Sequence, residues 1–96
     1  AGDLWAKVAD LRPADAQAAL HAAQSLCESG KDFSRAAEYA RRSVRLAPDV
    51  IAAHICLTRI FFKAGRTASA RSALETAAKI DPRNPEVVAL GSKLRG

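Results

Sequence analysis

The stretches "RLAPDVIAA" (residues 45–53) and "KIDPRNPEV" (residues 79–87) decide how this chain folds. Each ends an apolar run, leaves one spacer, sets a proline and opens a new helix-like run. A third copy, "DLRPADAQA", starts at Asp10. Pro48 and Pro82 stand thirty-four residues apart, and Pro13 and Pro48 thirty-five. With the prolines aligned, the slots two residues before them hold Leu11, Leu46 and Ile80. Five before stand Val8, Ser43 and Ala77; eight before stand Trp5, Ala40 and Leu74. Ala36 and Ala70 share the slot twelve before. Small slots stay mostly small and large ones mostly large, so the spacing marks a structural repeat.

Between the prolines the start and stop signals are helical. Leu4, Trp5, Val8 and Leu11 lie at helical spacing, and Pro13 closes that segment. Asp15 is expected to cap a helix to Ser29, which Gly30 stops. Asp32 caps the next, from Phe33 to Leu46. Asp49 is expected to cap a fourth that ends near Ala64 and Gly65. Thr67 is expected to cap a fifth, over Ala68 to Lys79. Asn84 and Pro85 open the last, to Leu94, because proline at a first helical position lacks only a donor with no use there. No connection is long, so consecutive helices must turn back on one another.

Composition agrees. Hydrophobic residues make up 49% of the 96, but the aromatics are only Trp5, Phe33, Tyr39, Phe61 and Phe62. Alanine is the commonest residue, which suits helices that approach closely. No alternating apolar run predicts a strand. The formal net charge is +5, with most of the excess in residues 49–96. That balance admits an acidic partner without requiring one. Alanine and arginine usage points to a bacterium with a GC-rich genome. No signal peptide or membrane-length apolar run is visible. Cytoplasmic placement is the expectation.

Catalytic signatures are lacking: no glycine-rich phosphate loop, no HExxH and no Ser/His/Asp set. His54 reads as a packing residue and His21 as a surface one. Cys27 and Cys56 have no metal spacing and read as two buried thiols. Chemistry between them is not expected, since their slots read as opposite ends of neighbouring helices. The reading is therefore of a non-enzyme with no cofactor, metal or small-molecule substrate.

The slots carry a family resemblance. His54, Leu57, Thr58 and Phe61, followed by Gly65, Ala70, Leu74, Ala77 and Pro82, resemble one unit of the tetratricopeptide repeat. Ala19, Ala22, Ala23 and Leu26, then Gly30, Phe33, Ala36 and Pro48, give a second, with one extra residue in its turn. The resemblance implies an all-α, right-handed superhelix of helix-turn-helix hairpins. Residues 1–13 would be a leading half repeat, 15–48 and 49–82 two repeats, and 84–95 a capping helix. The whole would form one domain and a segment of a longer protein. Ala23, Ala36, Ala70 and Ala77 would mark helix crossings. Leu57, Phe61, Leu74 and Ile80 would fill the layer between helices. Val87, Val88, Leu90 and Leu94 would cover the last pair.

In this family the first helices of the hairpins line a concave groove that holds partner segments. The resemblance places Gln17, Leu20, Gln24 and Cys27 on that wall, with Ala52, Ile55, Arg59, Phe62 and Lys63 beside them. Glu86, Ala89 and Lys93 would extend it. Phe61 takes the core slot, so Phe62 should show surface between two cations. The implied partner is a protein or peptide, acidic by this charge pattern. The fixed cation and asparagine set that grips chaperone carboxyl termini is not reproduced, because Gln24 stands where asparagine would be. A structural stack is the alternative, self-associating near Trp5. The cations Arg35, Arg41, Arg42 and Arg45 read as a solvated face, with Glu38 pairing to Arg42. They lack interleaved aromatics, so nucleic acid is not the expected partner.

Overall fold

A computed structural model describes residues 2–95, with side chains from Leu4 onward. It is all-helical: α1 (Gly2–Leu11), α2 (Ala16–Ser29), α3 (Phe33–Leu46), α4 (Ile51–Lys63), α5 (Thr67–Ile80) and α6 (Pro85–Arg95), with no strand among the described residues.

The ends follow local chemistry. The Asp15 carboxylate accepts from the N–H groups of Gln17 and Ala18 at 3.0 and 3.1 Å, and Asp32 accepts from Arg35 at 3.0 Å. Asn84 does the same for Glu86 at 2.9 Å. Each oxygen satisfies donors that have no carbonyl partner in the first turn. Two expected caps differ. Val50, not Asp49, sits at the N-cap of α4 and makes no side-chain bond. Arg66 precedes α5, and Thr67 is its first helical residue. Gly30 and Gly65 take φ of +68° and +77° after α2 and α4, the left-handed turn that glycine adopts without a Cβ clash. Ala47 and Asp81 leave the helical region just before Pro48 and Pro82.

Each helix packs on the next, and α2 also meets α4 while α4 meets α6. The even-numbered helices thus form one row. Ala19, Ala22, Ala23, Ala36, Ala40, Ala53, Ala70 and Ala77 are all 0% exposed. One cluster runs through α1 to α6, with Ile60 and Phe61 as its largest α4 members and Leu94 from α6; a second joins Ile55 and Ala77 to Val87 and Leu90.

Buried polar groups are paired. Ser43 donates to the Ala16 carbonyl at 3.0 Å, and Thr58 to the His54 carbonyl at 2.8 Å. A His54 ring nitrogen lies 2.9 Å from the Pro48 carbonyl, which fixes this buried imidazole as a packing residue. Between α1 and α3, Tyr39 donates to Asp10 at 3.0 Å.

Some packing expectations are corrected. Ile80 is 41% exposed and fills no layer. Leu11, Leu46 and Ile80 share this fate because each is the last residue of its helix, where the chain turns away from its neighbours. Leu4 and Val88 are likewise exposed. Arg42 pairs not with Glu38 but with Asp10 of α1, at 3.6 Å, and reaches the Ala9 carbonyl at 3.3 Å.

Candidate functional site

Along the row of even helices, α2 and α4 enclose a cavity of about 90 Å³. From α2 come Gln24, Cys27 and Glu28; from α4 come Ala52, Ile55, Cys56, Arg59 and Lys63. On each helix these positions are adjacent or three or four apart, so they form one stripe. Its floor is apolar, with Ile55, Cys27 and Cys56 buried, and its rim is charged, with Glu28, Arg59 and Lys63 exposed.

Arg59 is already engaged. Its guanidinium meets Glu86 of α6 at 2.6 Å, and both side chains are about half exposed. Such a surface pair contributes little stability, typically below about 1 kcal/mol. Lys63 has no salt bridge among the described residues. Phe62 adjoins it on α4 with 39% of its surface exposed, although it does not line the cavity.

The other groove candidates scatter. Leu20 is 6% exposed and belongs to the main core, because α2 turns it toward its neighbouring helices. Gln17 lies at the start of α2 against Arg12 and Pro13, away from the cavity. Lys93 is exposed on α6 and lines no cavity with the α2–α4 residues. Cys56 and Glu28 were not foreseen as lining residues, although helical spacing from Ala52 and Gln24 carries the signal.

The cysteines need a correction. They line one cavity rather than standing at opposite ends. Burial raises the Cys27 thiol, against the opposing pull of Lys63 and Arg59. Burial, then Cys27, pushes Cys56 up to about 12. Both stay protonated near neutrality, and a protonated thiol is a poor nucleophile and metal ligand. No group of three metal-ligating side chains occurs among the described residues. His21 lies outside the site, exposed and stacked on Trp5 at 4.6 Å.

A measurable pH dependence follows. An unfolded cysteine ionises near 9.0, while folded Cys56 resists until about 12. Stability from the protonated thiol is therefore intact below pH 9 and declines as pH rises toward 12. By pH 10.5 the expected loss is about 2 kcal/mol. Urea melts of wild type and Cys56→Ala at pH 8 and 10.5 isolate the effect, since other alkaline titrations are common to both. An equal pH response in the two chains would remove Cys56 as the cause.

The arginines of α3 are partly occupied. Arg41 lies over the Phe61 ring at 5.4 Å and Arg42 over Tyr39 at 5.0 Å. Cation–π contact makes them part of the packing as well as of the surface.

Stacked helical hairpins with an alanine-packed interior and an apolar, charge-rimmed seam define a helical-repeat scaffold. A family model described as tetratricopeptide repeat matches residues 30–94, and the chain belongs to that family. A tetratricopeptide repeat domain is, in general, a protein–protein interaction module, and repeats of this kind are typically non-catalytic. No curated protein matches the chain. Among the described residues no helix is long and apolar enough to cross a membrane.

Proposed function

We propose that this chain binds a segment of a partner protein along the α2–α4–α6 row, and that the segment carries an acidic group beside an apolar anchor. The observation behind this is the α2–α4 cavity itself, apolar at its floor and carrying on its rim Lys63, which has no salt bridge among the described residues, with Phe62 exposed next to Lys63 in the chain. A carboxylate meeting Lys63 gains a charge-assisted bond. It could also exchange with Glu86 for Arg59, at little cost because that pair is exposed. Aromatic surface next to the cation supplies the apolar part of the contact. No bond is made or broken, so affinity is the whole function. Cys27, Ile55 and Cys56 shape the floor and Gln24 lies exposed beside it, while Gln17 and Lys93 would be reached only by a longer segment.

Fluorescence anisotropy with labelled peptides tests it. The panel places one aromatic or aliphatic residue beside two or three acidic ones, with charge-reversed peptides as controls. Acidic peptides should bind and basic ones should not. Lys63→Glu is expected to weaken binding about tenfold or more. Phe62→Ala should weaken it several-fold, and rising salt should weaken the wild type. Binding of acidic and basic peptides alike, or affinity indifferent to Lys63→Glu, would refute the reading.

A further inference from the structure

The Arg59–Glu86 contact joins the α2–α4 cavity to α6. Arg59 lines the cavity, and Glu86 belongs to the first turn of α6. That turn is fixed in place. The Asn84 side chain accepts from the N–H groups of Glu86 and Val87 at 2.9 and 3.4 Å, and Val87 packs in one cluster with Ile55 of the cavity floor. Helix α6 thus delivers a carboxylate to the rim, where it holds a cavity cation at 2.6 Å. Lys63, the other cation of the rim, has no such partner among the described residues.

Arg59 and Lys63 stand four apart on α4, which makes them neighbours on one face, with Cβ atoms about 5–6 Å apart. An extended segment carries alternate side chains on one face, about 6.5 Å apart. Two carboxylates in an acid-x-acid pattern therefore match the two cations, whereas adjacent acids point to opposite faces. Glu28 of α2 is the third charge of the rim and has no salt bridge among the described residues. It repels a carboxylate from the α2 side and leaves the α4 pair as the seat.

We propose that Glu86 is a built-in competitor for the second of two acidic groups, and that the segment bound along this row carries them as acid-x-acid. This rests on the acidic-segment reading above and adds what the contact with α6 does to it. The first carboxylate takes Lys63, which has no ion pair to lose. The second reaches Arg59 only by displacing Glu86. One exposed ion pair is then exchanged for another of the same kind, so in the wild type the second acid adds little. Without the resident carboxylate the second acid counts in full. Glu86 thereby sets selectivity: with it the site takes singly and doubly acidic segments nearly alike.

Fluorescence anisotropy on wild type and Glu86→Gln is the test. Three labelled peptides share one apolar anchor and carry a single acid, acid-x-acid, or two adjacent acids. In the wild type acid-x-acid should bind less than about twofold tighter than the single acid. In Glu86→Gln the advantage should rise to roughly two- to fivefold, and adjacent acids should show no such rise. Adding Arg59→Gln to Glu86→Gln should abolish the gain. Glu75→Gln removes the same charge away from the cavity and should behave as wild type. The proposal is overturned by an unchanged advantage in Glu86→Gln, by equal tightening of all three peptides, or by a rise with adjacent acids. Lys63→Glu separates the two readings. Wild-type binding that depends on Lys63 but ignores Glu86→Gln leaves acidic-segment binding standing and reduces Glu86 to a surface ion pair. Peptides that bind neither chain would sink both.

Discussion

Phe61→Ala is expected to cost about 3–5 kcal/mol, and Phe62→Ala, one residue on, about 1 kcal/mol or less. The two side chains are chemically identical, so the contrast isolates position. Phe61 is 6% exposed, packs in the larger core cluster and carries the Arg41 guanidinium 5.4 Å from its ring centre. Truncating it leaves a cavity between α4 and its neighbours and strips Arg41 of its aromatic face. Phe62 keeps 39% of its surface in solvent, and water can fill the space its ring vacates. For a domain of this size each kcal/mol moves the melting temperature about 4–8 °C. Phe61→Ala should therefore melt roughly 20 °C lower, a large share of the stability a small domain has. Thermal denaturation followed by circular dichroism measures both. Equal losses at the two positions would mean that both rings belong to the core, and the apolar anchor site would lose its main residue.

Adjacent phenylalanines also show what the sequence makes readable. Two neighbours on a helix point about 100° apart, so one entering the seam leaves the other outside. The repeat register decides which, because Phe61 shares its slot with Leu26. The same register located the alanine crossings, the left-handed glycines after α2 and α4, and the helix ends before Pro48 and Pro82. These features are local or strictly periodic. The failures concern how helices sit against each other. Cys27 and Cys56 share a cavity because of the stagger between α2 and α4, a quantity the period does not contain. Arg42 chose Asp10 on another helix over Glu38 on its own for the same reason. Trp5 stacks on His21 through the packing of α1 on α2, with no motif to announce it. Of the groove residues, Gln24, Ile55, Arg59 and Lys63 gather at the cavity while Leu20 turns inward. A one-residue error in facing moves a side chain from wall to core.

Ala36→Leu is expected to destabilise the fold by about 3 kcal/mol, although leucine is the more hydrophobic residue. Area alone argues the other way: three added carbons, fully buried, would contribute roughly 2 kcal/mol of stability at about 0.8 per methylene. Helix propensity is nearly neutral for this exchange. What decides is space. Ala36 is 0% exposed, and so are Ala19, Ala22 and Ala23 on the helix against which α3 packs. Alanines on both sides let the helices approach until little more than methyl groups separates them. An isobutyl group there must push α2 and α3 apart, which breaks dispersion contacts along the whole pair. Ala89→Leu, on the exposed face of α6, is the control and should change stability by less than about 0.5 kcal/mol. Urea denaturation distinguishes the outcomes, and a stabilised Ala36→Leu chain would show that the crossing has room to spare. The repeat makes a stricter demand still. Ala70 occupies the same slot one period later and is also 0% exposed. Ala70→Leu should reproduce the loss at the α4–α5 crossing, because the restriction belongs to the hairpin geometry and not to either local sequence.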